Sequence, residues 1–170
     1  MTEWGRGHFG LDLRAGHIER AEFAPNRFGL ITLWDVLEHL PHPRLAVEQL
    51  FAWLAPGGWL VVEVPSEVTT FRRLAEAACA LSAGRIVGPA RLLYHAAHLS
   101  YFTPRSVRVL ASAVGASGVT IITKEAHVTR FGLDRFRPHE RYAIRALATA
   151  DRLFGTQAKL LLALGKPAGN

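Results

Sequence analysis

Apolar positions in the first half of the chain change their period twice. Residues 30–34, Leu-Ile-Thr-Leu-Trp, form a compact run with β-branched and aromatic members behind Pro25 and Asn26. Such a run predicts a buried parallel strand. Pro43 then suits the first position of a helix, in which Leu45, Ala46, Gln49, Leu50, Trp53 and Leu54 recur at helical spacing until Pro56-Gly57-Gly58 stops it. Residues 59–64 return to strand character, and Pro65 ends them. Strand, helix and strand in that order make a crossover, whose handedness puts both strands in one parallel sheet. The fold class is therefore α/β.

The flanking segments are read the same way. Residues 9–23 hold a short alternation at Leu11 to Leu13 and a polar turn through Gly16, which predicts a short strand and a loop. Residues 66–95 have helical composition interrupted by Gly84, Gly88 and Pro89, so two helices are expected. Extended to the next helix cap, residues 66–103 are expected to form a helical lid. Thr103 should cap the next helix, with Pro104 in its first turn, Val107, Leu110, Ala111 and Val114 facing inward, and Gly115 at its end. A strand over 119–123, an amphipathic helix over 141–154 carrying Ile144, Leu147, Ala148 and Leu153, and a last strand over 157–164 complete the order. The polar tail 165–170 is expected to fray. No repeat or low-complexity tract interrupts a single domain over 1–170.

Composition narrows the setting. A chain of 170 residues, 49% of them hydrophobic, can bury one core and gives no reason to expect two. Cys79 is the single cysteine, which excludes an internal disulfide or a paired-cysteine zinc site and fits a reducing, cytoplasmic location. The first residues carry no signal pattern, and no apolar run reaches the length of a membrane span. Twenty Lys and Arg against 14 Asp and Glu give a net charge of +6. The arginines are scattered and lack interleaved aromatics, so a solvated basic surface is expected and nucleic acid is not.

Three motifs stand in register. Phe28-Gly29-Leu30-Ile31 leads through Trp34 to Asp35-Val36-Leu37-Glu38-His39. Pro56-Gly57-Gly58 precedes the second strand, and His98-Leu99-Ser100-Tyr101-Phe102-Thr103-Pro104 follows downstream. In this order they resemble the class I S-adenosylmethionine-dependent methyltransferases, especially methyltransferase types 11, 12 and 23, over residues 9–165. That family has a strand of the pattern Phe-Asp-apolar-apolar leading to a loop that ends in Glu-His, a Pro-Gly-Gly turn, and a later His-Leu-x-x-Phe-Thr-Pro segment. Gly29 departs from it, standing where Asp is usual.

The larger departure is upstream. The family grips its cofactor with a glycine-rich turn after its first strand and an acidic residue ending its second. Gly5-Arg6-Gly7-His8-Phe9-Gly10 fits GxGxxG by letter, but only four residues precede it. The resemblance therefore implies a partial Rossmann-like methyltransferase fold, with strands 3 to 7 present and strands 1 and 2 and their glycine motif missing. The family's sheet order, 3-2-1-4-5-7-6, would then leave residues 9–15 without a sheet partner and make strand 30–34 a bare apolar edge. A complementary subunit, or self-association through that edge, is expected.

What the resemblance implies for chemistry can be assigned residue by residue. Trp34 and Asp35 would line the methionine and methyl end of S-adenosylmethionine. Methyl transfer is an in-line displacement that needs alignment and, for hydroxyl or amine acceptors, removal of a proton. His39 and His98 are the candidate bases, with Glu38 able to orient one of them. His8, His17, His42, His95, His127 and His139 match no motif and are expected at the surface. The function implied is S-adenosylmethionine-dependent methylation of a small-molecule or sugar-type acceptor. The rival is a non-catalytic remnant or partner subunit of a methyltransferase. A further alternative is a metal-assisted O-methyltransferase, since related Glu-x-x-Glu-His loops bind a divalent ion; the corresponding set here would be Asp35, Glu38, His39 and His98.

Overall fold

The computed structural model describes residues 2–85, 87, 97–124 and 159–169, with isolated positions between 138 and 153. Helix α1 spans Thr2–Phe9, strand β1 Phe28–Trp34, helix α2 Pro43–Trp53 and strand β2 Leu54–Pro65. Helix α3 spans Thr70–Leu81, helix α4 Pro104–Ala113, strand β3 Gly118–Lys124 and strand β4 Lys159–Gly165. The four strands form one sheet in the order β1-β2-β4-β3. As the crossover requires, β1 and β2 are parallel, while β4 runs antiparallel to both β2 and β3. This order reproduces the 4-5-7-6 portion of the sheet implied by the resemblance, with β1 at the edge among the described residues.

Strand alternation sorts the side chains into two unequal faces. Leu33, Leu60, Val62, Val64, Leu160, Leu162 and Leu164 point to one side and are buried in a core shared with Val47, Leu50 and Phe51 of α2 and Val107 and Ala111 of α4. On the other side Leu30, Trp34, Trp59 and Ile122 remain 59%, 52%, 44% and 51% exposed. The apolar edge expected at 30–34 is thus also part of an open apolar face.

Helix α4 follows the expected pattern closely. Thr103 accepts from the Ser106 amide while the Ser106 hydroxyl accepts from the Thr103 amide, a reciprocal cap, and Val107 and Ala111 are fully buried. In α2 the inward arc is Ala46, Val47, Leu50, Phe51 and Trp53, while Leu45, one of the residues recurring at helical spacing, is exposed. At about 100° per residue Leu45 lies roughly 150° from the centre of that arc. The second helix expected within 66–95 lies outside the described residues. Of the helix expected over 141–154, the described positions are helical and Leu153 is exposed, whereas Ile144, Leu147 and Ala148 lie outside.

Three boundaries differ from the sequence expectation. Residues 11–13 form no strand; three alternating residues offer no ladder partner, and the backbone is tied locally, with Arg6 Nε donating to the Leu13 carbonyl. Of the preceding glycines, Gly5 and Gly7 lie within helix α1 and Gly10 follows its end with φ +63°. A Cβ at Gly5 would fall 2.6 Å from Leu13 Cδ1, so Gly5 permits the return of the chain onto the helix. Strand β2 begins at Leu54 directly after α2, and Pro56-Gly57-Gly58 forms an irregularity between the pairs Phe28↔Leu54 and Leu30↔Trp59. A Cβ on Gly58 would lie 2.8 Å from the Ala55 carbonyl oxygen, which explains glycine there. Finally, β4 runs to Gly165, and the tail beyond it is pinned rather than frayed: Lys166 Nζ donates to the carbonyls of Phe51 and Leu54 at 2.8 and 2.7 Å, satisfying the carboxyl end of α2.

Candidate active site

The carboxyl end of β1 is where a crossover sheet opens toward a ligand. The strand ends at Trp34, and Asp35 turns the chain with φ +52°, its amide donating to the Glu63 carbonyl of β2 at 3.0 Å. Asp is among the few side chains that tolerate this conformation. The Asp35 carboxylate accepts from Lys159 Nζ at 2.6 and 2.9 Å, and the same ammonium donates to Glu63 Oε1 at 2.8 Å. The first residue of β4 thereby clasps the ends of β1 and β2. Burial alone would lower the Lys159 pKa, but the hydrogen bonds and charges of Asp35 and Glu63 outweigh it and hold the pKa above the ordinary lysine value.

The loop then enters a 3-10 turn over Leu37–His39. Leu37 is anchored in the core, and the tight turn carries the next side chain, Glu38, out of water as well; Glu38 is 1% exposed. Both of its carboxylate oxygens are buried without a hydrogen-bond partner among the described residues. Burial raises the Glu38 pKa, with Asp35 adding to the rise, while Glu38's own backbone amide and the charges of His39 and Lys159 oppose it.

A second segment is laid across this turn. The amides of Leu99 and Ser100 donate to the Glu38 carbonyl at 2.9 and 3.1 Å. His39 Nδ1 lies 2.8 Å from the Ala97 carbonyl, so that nitrogen carries the proton, and Nε2 faces Glu38 Oε1 at 3.9 Å. The His98 ring meets the His39 ring edge-on at 4.9 Å between centroids. One donor atom each from Glu38, His39 and His98 lies within 4.8 Å of the others. Behind His98 sits Tyr101, with the buried Arg72 guanidinium over its ring at 4.9 Å. Arg72 is held by Glu67 at 3.5 Å and Glu76 at 3.0 Å.

Of the residues singled out in the sequence, Glu38, His39 and His98 converge, and Trp34 and Asp35 stand beside them on the same loop. Asp35 is not in the convergent cluster; its carboxylate is turned to Lys159. His39 does not cap α2, whose N-cap is His42. His8, His17 and His42 are at the surface as expected, and His95, His127 and His139 lie outside the described residues. Lys159, Glu63 and Arg72 were not legible as site residues. Glu63 alone carried a signal, as a carboxylate interrupting an apolar strand.

Comparison with known proteins agrees with this geometry. Residues 8–121 match the methyltransferase domain family, and the chain belongs to that family. No curated protein matches the chain in sequence. Among solved structures, the chain is similar to a SAM-dependent methyltransferase from Archaeoglobus fulgidus at 11% identity and TM-score 0.50, covering 84% of this chain and 61% of that one. It is similar to the complex between the Haloferax volcanii Trm112 methyltransferase activator and a methyltransferase at 15% identity and TM-score 0.59, covering 100% and 68%. A third likeness is to Haemonchus contortus phosphoethanolamine N-methyltransferase 2 in complex with S-adenosyl-L-methionine, at 12% identity and TM-score 0.54, covering 89% and 36%. The chain thus spans between about a third and two thirds of the length of these structures. At such identities the likeness is one of fold. Family membership implies S-adenosylmethionine as cofactor. Among the described residues no helix is long and apolar enough to cross a membrane.

Proposed function

We propose that this chain forms the methyl-transfer end of an S-adenosylmethionine-dependent methyltransferase acting on a small-molecule or sugar-type acceptor. The observation that carries the reading is the buried, unpartnered Glu38 carboxylate beside the imidazoles of His39 and His98 at the carboxyl end of β1. Trp34 presents an exposed apolar ring to the sulfonium and methionine end of the cofactor, and Asp35, its carboxylate held by Lys159, lines the turn beside it. A sulfonium methyl needs only an aligned nucleophile, so the remaining task is to take the acceptor's proton. His98 and His39 are the acceptors of that proton, and Glu38 is the charge that would stabilise the imidazolium formed. The segment 66–103 serves as a lid whose end, at Ala97 to Ser100, is already fastened to the turn. The unpaired Cys79 agrees with a cytoplasmic setting.

Titration calorimetry with S-adenosylhomocysteine tests the reading. Binding by the chain, weakened at least about tenfold by Trp34→Ala or Asp35→Ala, is expected; each would remove roughly 1.4 kcal/mol or more of cofactor contact. Silence would favour the rival reading, a non-catalytic partner subunit, to which the open edge of β1 also speaks.

That edge bears on assembly under either reading. An exposed edge strand flanked by Leu30 and Trp34 is a template for pairing with another chain. We place a complementary subunit or a second copy of the chain there. Light scattering is expected to report dimers or larger species that dissociate when Leu30→Lys puts a charge on the edge; a stable monomer would contradict it.

A further inference from the structure

We propose that Glu38, His39 and His98 bind one divalent transition-metal ion. The inference deepens the reading above, since it concerns the same residues, but metal binding itself does not depend on methyl transfer. Three observations carry it. The first is convergence: one carboxylate oxygen and two imidazole nitrogens, from a turn and from a segment 59 residues further along the chain, come within 4.8 Å of one another. Metal bonds of about 2.0–2.2 Å separate such donors by roughly 3–3.6 Å, so small side-chain rotations close the set.

The second is the state of Glu38. A carboxylate taken out of water is costly unless a cation or hydrogen bonds compensate it. Here both oxygens are buried with no hydrogen-bond partner of ordinary geometry among the described residues, and Lys159 is already shared between Asp35 and Glu63. An ion would supply what the fold leaves out. The third is the orientation of His39. Its Nδ1 proton is committed to the Ala97 carbonyl, which fixes the tautomer and leaves Nε2 as a lone pair directed toward Glu38. A metal-bound histidine is usually held in this way through its other nitrogen.

Donor chemistry selects the ion. Calcium and magnesium take oxygen ligands, whereas two imidazoles with one carboxylate suit zinc, iron(II), cobalt(II) or manganese(II). Asp35, the other carboxylate of the loop, is excluded by its clasp with Lys159. The ion would also fasten the 97–100 segment to the turn through ligands on both sides, and it would favour loss of a proton from an acceptor hydroxyl.

The test uses the untagged full chain, stripped with chelator and titrated with zinc or cobalt(II) by calorimetry and by the ligand-field absorption of cobalt. Equimolar binding is expected, weakened by more than about tenfold in both Glu38→Gln and His98→Ala, because even the partners of metal ligands are worth about 10–100-fold. The exposed-site variant His42→Ala should bind like the parent. Since a variant could fail to fold, the parent chain is also followed by NMR, where cobalt should broaden the imidazole signals of His39 and His98 selectively. Absent binding, or broadening centred on His8, His17 or His42, would overturn the proposal. S-adenosylhomocysteine titrated in parallel separates the two readings: cofactor binding without metal sinks the ion alone, and metal binding without cofactor sinks methyl transfer alone.

Discussion

Leu162→Ala is expected to lower the unfolding free energy by about 3 kcal/mol, the largest effect of any single truncation considered. Leu162 is 1% exposed in β4, opposite Val62 of β2 and Ile121 of β3. Large-to-small changes at such positions cost the transfer energy of the lost methyl groups and also leave a cavity, about 2–5 kcal/mol together. The position matters beyond its volume, because among the described residues β3 joins the sheet only through β4. A weakened β4 therefore loosens two strands. Denaturant titration should show the midpoint falling sharply, and Leu30→Ala on the open edge should stay within about 0.5 kcal/mol of the parent. Equal effects at the two sites would mean that the buried face is not the core.

Lys159→Met should cost about 2 kcal/mol at neutral pH. Exposed ion pairs are worth roughly 0–1 kcal/mol, while removing one partner of a buried pair costs about 3–5. The Lys159 side chain is 31% exposed and Glu63 14%, so the expected loss falls between those limits. The pH dependence has a definite sign. The folded pKa of Lys159 is raised above the ordinary 10.5, so its contribution is complete below about 10.5 and is lost as pH rises through the higher folded value. The stability difference between parent and variant should therefore be flat from neutral pH to about 10 and shrink above that. A difference that grows with alkalinity would show that the clasp is not what holds the two carboxylates.

The parts of the fold that could be read in the sequence are those in which local pattern and burial coincide. The α2 periodicity and the Thr103-Pro104 cap satisfy their backbone groups within a few residues, the run 30–34 pairs with the strand that its crossover delivers, and each forms where expected. The alternation at Leu11 to Leu13 misled because period two describes a strand only when a partner exists. Helical spacing alone does not say which arc of the helix is turned inward, so the exposure of Leu45 could not be read from it. The loop from Trp34 to His39 stands out in the sequence as a candidate site, since a strand end, an acidic turn and a histidine share one pattern. The clasp was not: Lys159 and Asp35 are 124 residues apart, and only the antiparallel insertion of β4 next to β2 brings them together. Nor does any local signal announce that Arg72, on α3, packs over Tyr101.

Central to the proposed function is that the carboxyl end of β1 forms the reacting end of the domain. An NMR titration of the native chain with S-adenosylhomocysteine tests this most directly. Saturable shifts are predicted at the Trp34 indole and the Asp35 amide, together with the imidazoles of His39 and His98. Shifts confined to α1 or to the open face around Trp59 and Ile122, with the Trp34 to His39 loop unmoved, would contradict it.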